Sequence, residues 1–129
     1  MTLSHRLPVA ATLATLVLLS ACASDYHYSQ LIGQRYFKTP IDTYAVSILA
    51  VDGKGTTMRQ TLVDPGRHEI TVQGPPGATG GFGDTRTVPL DIAPCTRYYL
   101  VATKTNRLMR DYSVKVDYQE PVPGCTPPA

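Results

Sequence analysis

"LVDPGRHEITVQ", Leu62 to Gln73, is the stretch on which the fold turns. Its second half alternates, with His68, Ile70 and Val72 on one side of an extended chain and Glu69, Thr71 and Gln73 on the other. That period of two is the mark of a strand with one buried face. The half before it reads as a turn, because Pro65 presets φ and Gly66 is free to take positive φ. A helix would need apolar residues three and four apart and would be interrupted by the Pro-Gly pair.

The same reading extends outward in both directions. Upstream, "TYAVSILAVDG" (Thr43 to Gly53) puts Tyr44, Val46, Ile48 and Ala50 on one face, while Leu49 and Val51 give the other face apolar character, as in a strand covered on both sides. "DGKG" (Asp52 to Gly55) is a turn by composition, and "TMRQTLV" (Thr57 to Val63) follows with Met58 and Leu62 expected inward. Downstream, "RTVPLDI" (Arg86 to Ile92) aligns Val88, Leu90 and Ile92, and Pro89 assigns it to an edge or a bulge. "RYYLVAT" (Arg97 to Thr103) and "DYSVKVDYQ" (Asp111 to Gln119) complete the set, the last with Tyr112, Val114, Val116 and Tyr118 on one face. Six short strands without an amphipathic helix predict an all-β fold, a small antiparallel β-sandwich over residues 41–129.

The chain of 129 residues fits a single such core. Its N-terminus is set apart. "MTLSHRL" carries Arg6, and the run from Pro8 to Ala23 has neither acid nor base, which is the basic start and apolar centre of an export signal. The run falls short of the roughly 20 apolar residues of a permanent span, so residues 1–21 are expected to form a signal helix that is removed. Without Arg6, eleven basic residues face ten acidic ones, and a nucleic-acid partner is not expected.

"LSAC", Leu19 to Cys22, resembles the lipobox of bacterial lipoproteins. The resemblance implies cleavage before Cys22, acylation of its sulfur, and the membrane as a partner through the acyl chains. Ala23, where many inner-membrane lipoproteins carry Asp, implies the inner leaflet of the outer membrane, facing the periplasm. "ACA", Ala21 to Ala23, also satisfies the small-x-small rule of ordinary secretory cleavage, and a cut after Ala23 would release a soluble periplasmic protein. Leu19 favours the first cut.

Either cut leaves Cys95 and Cys125 as the pair in an oxidising compartment, where a disulfide is expected. Their spacing is neither C-x-x-C nor a zinc pattern. The bond would pin the proline-rich tail from Glu120 to Ala129. Residues 22–40, polar and aromatic without a period, read as a lipidated N-terminus and flexible tether, of which some 16 residues reach at most roughly 55 Å.

Asp52 and Gly53, followed by Leu62, Pro65, Gly66, His68, Ile70 and Val72, make the segment resemble PEGA-type and carboxypeptidase-regulatory, transthyretin-like β-sandwich modules. The PEGA tetrapeptide itself is missing. The resemblance implies an Ig- or transthyretin-like sandwich that acts as an extracytoplasmic binding or spacer unit rather than a catalyst, and it points to small proteobacterial lipoproteins.

No residue pattern asks for a cofactor. "GPPGATGGFGD" (Gly74 to Asp84) lacks the Lys-Ser/Thr and helix of a phosphate cradle, and is expected to be a mobile hairpin loop with Phe82 as the apolar residue a partner could take up. His68, beside its turn, is expected to be a hydrogen-bonded structural histidine. Asp25 and His27 with their flanking tyrosines could ligate a metal, but a tether does not hold ligands in place, and no metal is expected. Tyr98, Tyr99, Tyr112 and Tyr118 spread over alternating faces and are expected in the core. "TKTNRLMRD", Thr103 to Asp111, reads as a solvated loop. With no G-x-S-x-G and Ser47 and Ser113 in strand alternation, the expectation is a non-enzymatic binding, spacer or assembly-accessory protein with an envelope protein as partner. A cell-wall hydrolase is the alternative.

Overall fold

The structure is a computed structural model that describes residues 26–34 and 41–127. Cys22, both candidate cuts and the signal segment lie outside the described residues.

The described chain is all β. Its strands are β1 (Ser29–Ile32), β2 (Thr43–Ala45), β3 (Ser47–Val51), β4 (Lys54–Gly55), β5 (Gln60–Val63), β6 (Gly66–Gln73), β7 (Thr85–Ile92), β8 (Thr96–Thr103) and β9 (Ser113–Pro121). They form two sheets. One runs β4-β3-β6-β7, entirely antiparallel, and β7 is its edge, where Pro89 costs no shared ladder bond. The other is built on β8, which pairs with β9 along its whole length. The opposite side of β8 is shared by β1 along Arg97–Tyr99 and β2 along Val101–Thr103, and β5 lies beyond β1. The pairing of β1 with β8 is parallel, so the sandwich is largely rather than wholly antiparallel.

Leu31, Val46, Ile48, Val63, Ile70, Val72, Ile92, Tyr98, Leu100, Ala102 and Tyr112 fill the space between the sheets. The alternation read in β6 and β7 therefore points to the correct faces. At the β3–β4 hairpin, Asp52 (φ 49°) and Gly53 (φ 78°) both take positive φ, the conformation of a two-residue type I′ turn.

Four expectations are corrected. Residues 29–32 are not tether: β1 is an interior strand with Ser29, Gln30 and Leu31 buried. Ser29 Oγ donates to Ala93 O (2.5 Å) and accepts from Thr96 N (3.0 Å), and these bonds let a hydroxyl lie inside. "TYAVSILAV" is two strands, because the chain leaves one sheet and enters the other at Val46. There Val46 N donates to Gly33 O (2.8 Å), and a Cβ on Gly33 would lie 2.0 Å from Val46 O, so only glycine permits the crossing. β5 has the opposite face inward: Thr61 and Val63 are buried while Met58 and Leu62 are exposed. Finally, a bulge on β9 pairs Leu100 with Val116 but Tyr99 with Tyr118, which turns Tyr118 away from the core face occupied by Tyr112.

Candidate functional site

β6 delivers the chain to the glycine-rich loop at Gln73, and β8 delivers it to the basic loop at Thr103. Both loops, with the start of β2, meet at one end of the sandwich. Within the glycine-rich loop Gly74 N donates to Asp84 O (3.0 Å), Gly80 N to Gly77 O (3.0 Å) and Gln73 Nε2 to Gly83 O (3.4 Å). The basic loop then fastens it from outside. Lys104 Nζ donates to Pro76 O (3.2 Å), Arg110 Nη2 to Phe82 O (2.9 Å) and to Asp84 Oδ1 (2.8 Å), and the Tyr112 hydroxyl to Asp84 O. Asp42 joins as the third piece, accepting from Lys104 N (3.2 Å) through its carbonyl and from Arg107 Nε (2.8 Å) through its carboxylate.

The expected mobile hairpin is thus a bonded loop, and its glycines serve packing. A Cβ on Gly74 would fall 2.3 Å from the Tyr112 ring, and one on Gly83 1.8 Å from Gly74 O. Lys104 likewise departs from the solvated reading: it is buried, with its ammonium 5.4 Å from the Tyr44 ring centre. Burial pushes the Tyr112 hydroxyl above its ordinary pKa, so it remains a donor. Arg110, through its hydrogen bonds, holds the Asp84 carboxyl below its ordinary value.

This braced end displays apolar side chains. Phe82 is 84% exposed, Leu108 75%, Met109 56% and Ile41 80%. The arginines around them are paired within the end itself, Arg107 with Asp42, Arg110 with Asp84, and Arg86 with Asp111. Sequence reasoning singled out Phe82 but missed its three companions, which come to the same end of the sandwich only when separate loops converge.

The remaining candidates fall elsewhere. His68 Nδ1 is 2.5 Å from Asp52 Oδ2 and its Nε2 is 2.8 Å from Asp64 O, while Asp52 Oδ1 accepts from Glu69 N (2.8 Å). The histidine staples two turns together. Tyr98 and Tyr112 are buried as expected, but Tyr99 and Tyr118 lie side by side, ring centres 5.9 Å apart, off the core face. Near them Arg97 donates to Gln30 Oε1 (2.6 Å) and Glu120 Oε1 (2.8 Å), and Tyr99 donates to the same carboxylate oxygen (2.8 Å). A groove of about 500 Å³ opens between Ile32–Gln34, Val46–Leu49 and Thr56–Gln60, with Arg59 as its one charged lining residue among the described residues. Among the described residues no three His, Cys, Asp or Glu side chains gather as a metal would require, and no helix is long and apolar enough to cross a membrane.

At the opposite end from the braced loops, Cys95 and Cys125 form the expected disulfide (S–S 2.01 Å). It ties the β7–β8 turn to the tail, where Val122 N also donates to Cys95 O (2.9 Å) and Thr126 N to Tyr26 O (3.0 Å). Compared with protein-family models, curated proteins and solved structures, the chain matches none of them.

Proposed function

We propose that the protein is a lipid-anchored envelope protein whose β-sandwich is a non-enzymatic binding or assembly-accessory module. Cys22 is the anchor, on the strength of "LSAC" at the end of an apolar run without a charge. Its place is the inner leaflet of the outer membrane, facing the periplasm, and its partner is an envelope protein.

One observation carries the binding role: a loop held by several bonds from the basic loop beside it presents Phe82 almost wholly to water. Bracing removes the ordering cost that a free loop would meet on binding, and an aromatic side chain displayed this way is the kind of anchor on which interfaces concentrate their energy. The PEGA-like hairpin supports the same class of role. His68 supports it too, since both ring nitrogens are engaged with Asp52 and Asp64, leaving neither to serve a nucleophile.

Two measurements test the reading. Mass spectrometry of the membrane-extracted protein should find a diacylated Cys22, and Cys22→Ser should move the protein to the soluble fraction; a mature chain beginning at Ser24 refutes the anchor. A photoreactive residue at position 82 should give a discrete adduct with an envelope protein, where one at Thr87, on the exposed face of β7, should not. Phe82→Ser should abolish co-purification of the crosslinked partner with the otherwise wild-type protein at unchanged stability, within about 0.5 kcal/mol for so exposed a position.

A further inference from the structure

We infer that the disulfide-bonded end of the sandwich is a membrane-seating surface, resting on the bilayer that holds the acyl chains, with the Phe82 end facing away from it. The inference rests on acylation of Cys22 and adds the surface that meets the lipid.

Chain length gives the first argument. Three residues, Ala23 to Asp25, separate Cys22 from Tyr26, and four peptide steps span at most about 14 Å. Tyr26 is fixed to the domain: its carbonyl accepts from Thr126 N (3.0 Å), its hydroxyl accepts from Gln30 Nε2 (2.8 Å), and the neighbouring Cys125 is bonded to Cys95. An anchor at Cys22 therefore pulls this end, and no other, to the lipid surface. The eight residues of β8 then carry the chain roughly 25 Å away before the braced loops begin.

Surface chemistry gives the second, independent argument. Residues 26–29, 92–96 and 121–127, which surround the disulfide, contain no Asp, Glu, Lys or Arg; the charged side chains at this end, Asp64 and the exposed Arg67–Asp91 pair, belong to the adjoining β5–β6 turn and the paired ends of β6 and β7. Their exposed members are Ala93, Pro94, Pro121, Pro123, Gly124, Thr126 and Pro127, so the patch around the disulfide meets a headgroup layer without stripping water from a charge of its own. Tyr26 and Tyr28 stand edge to face, ring centres 5.9 Å apart, and tyrosine is a side chain that favours the membrane–water boundary. At the opposite end the charges stand directly among the apolar residues, with Arg107, Arg110, Asp42, Asp84 and Asp111 around them.

The chain contains no tryptophan, which permits a background-free test. Full-length Pro123→Trp, Pro94→Trp and Phe82→Trp variants would be purified from membranes, checked by mass for acylated Cys22, and reconstituted in phosphatidylethanolamine and phosphatidylglycerol vesicles containing lipids brominated near the glycerol. The expected result is loss of emission on bromination for Trp at positions 123 and 94 and none at 82. Quenching at 82, or at none of the three, in acylated protein overturns the inference while leaving the anchor intact. An unacylated mature chain would instead show that the anchor reading itself had failed. Two variants at the seating end guard against one that misfolds.

Discussion

The imidazole of His68 lies between a carboxylate from one hairpin turn and a carbonyl from another, and only the doubly protonated ring can donate to both. Its pKa is accordingly raised above the ordinary 6.5, first by the hydrogen bond with Asp52 and against the cost of desolvation. Asp52 is lowered below the ordinary 3.8, first by Glu69 N and then by His68. Asp64 and Lys54 are the other charges acting on the pair, and they act in the same directions. The His68 contribution to stability is therefore complete below pH 6.5 and is lost as pH rises through its higher folded value. The Asp52 contribution is complete above pH 3.8 and is lost as pH falls through its lower folded value. Urea midpoints measured across this range should show the wild type weakening on the alkaline side of neutrality, with a slope that His68→Gln removes. Equal slopes in the two proteins would show that the ring is neutral in the fold.

β1 tests how far four residues can matter. Leu31 is wholly buried between the sheets, and β1 supplies the link between β8 and β5. Leu31→Ala should cost about 2 to 5 kcal/mol in urea unfolding, where a tether position would cost almost nothing. A loss below roughly 0.5 kcal/mol would return this segment to the tether. The strand was illegible in "SQLI" because a period of two cannot be recognised over four residues, two of them polar and buried only through bonds to distant chain such as Ser29 to Ala93. β6 and β7 were legible because eight residues of alternation fix a face, and Pro89 marks an edge by chemistry alone. β5 failed by one residue, enough to exchange Met58 and Leu62 for Thr61 and Val63. The bulge that turns Tyr118 outward and the sheet change at Val46 depend on partner strands, which no local pattern contains. The same limit applies to the candidate site: Phe82 could be read within its loop, whereas Ile41, Leu108 and Met109 joined it through contacts made by Asp42, Lys104 and Arg110.

Over the whole molecule the two ends are built by different means. The loop end is held by side chains converging on Asp84, while the other end is closed covalently around the β8–β9 hairpin, whose last pair, Thr96 with Pro121, lies just inside the disulfide. The bond spans 30 residues in sequence, and closing such a loop in the unfolded chain is worth about 3 to 4 kcal/mol in the chain-entropy account. Replacing both cysteines by serine should therefore lower the unfolding free energy read from urea titration by that amount, and reduction of the wild type should match it and slow its mobility in a denaturing gel. The hairpin itself should survive, since its pairing runs from Thr96 to Thr103 independently of the bond. Hydrogen exchange should then localise the loss of protection at the two bonds beside the disulfide, Val122 N to Cys95 O and Thr126 N to Tyr26 O, before it reaches the interior of β8. Loss of protection throughout β8 at once would show that the covalent closure holds the entire sheet, and that seating and folding of this end cannot be separated.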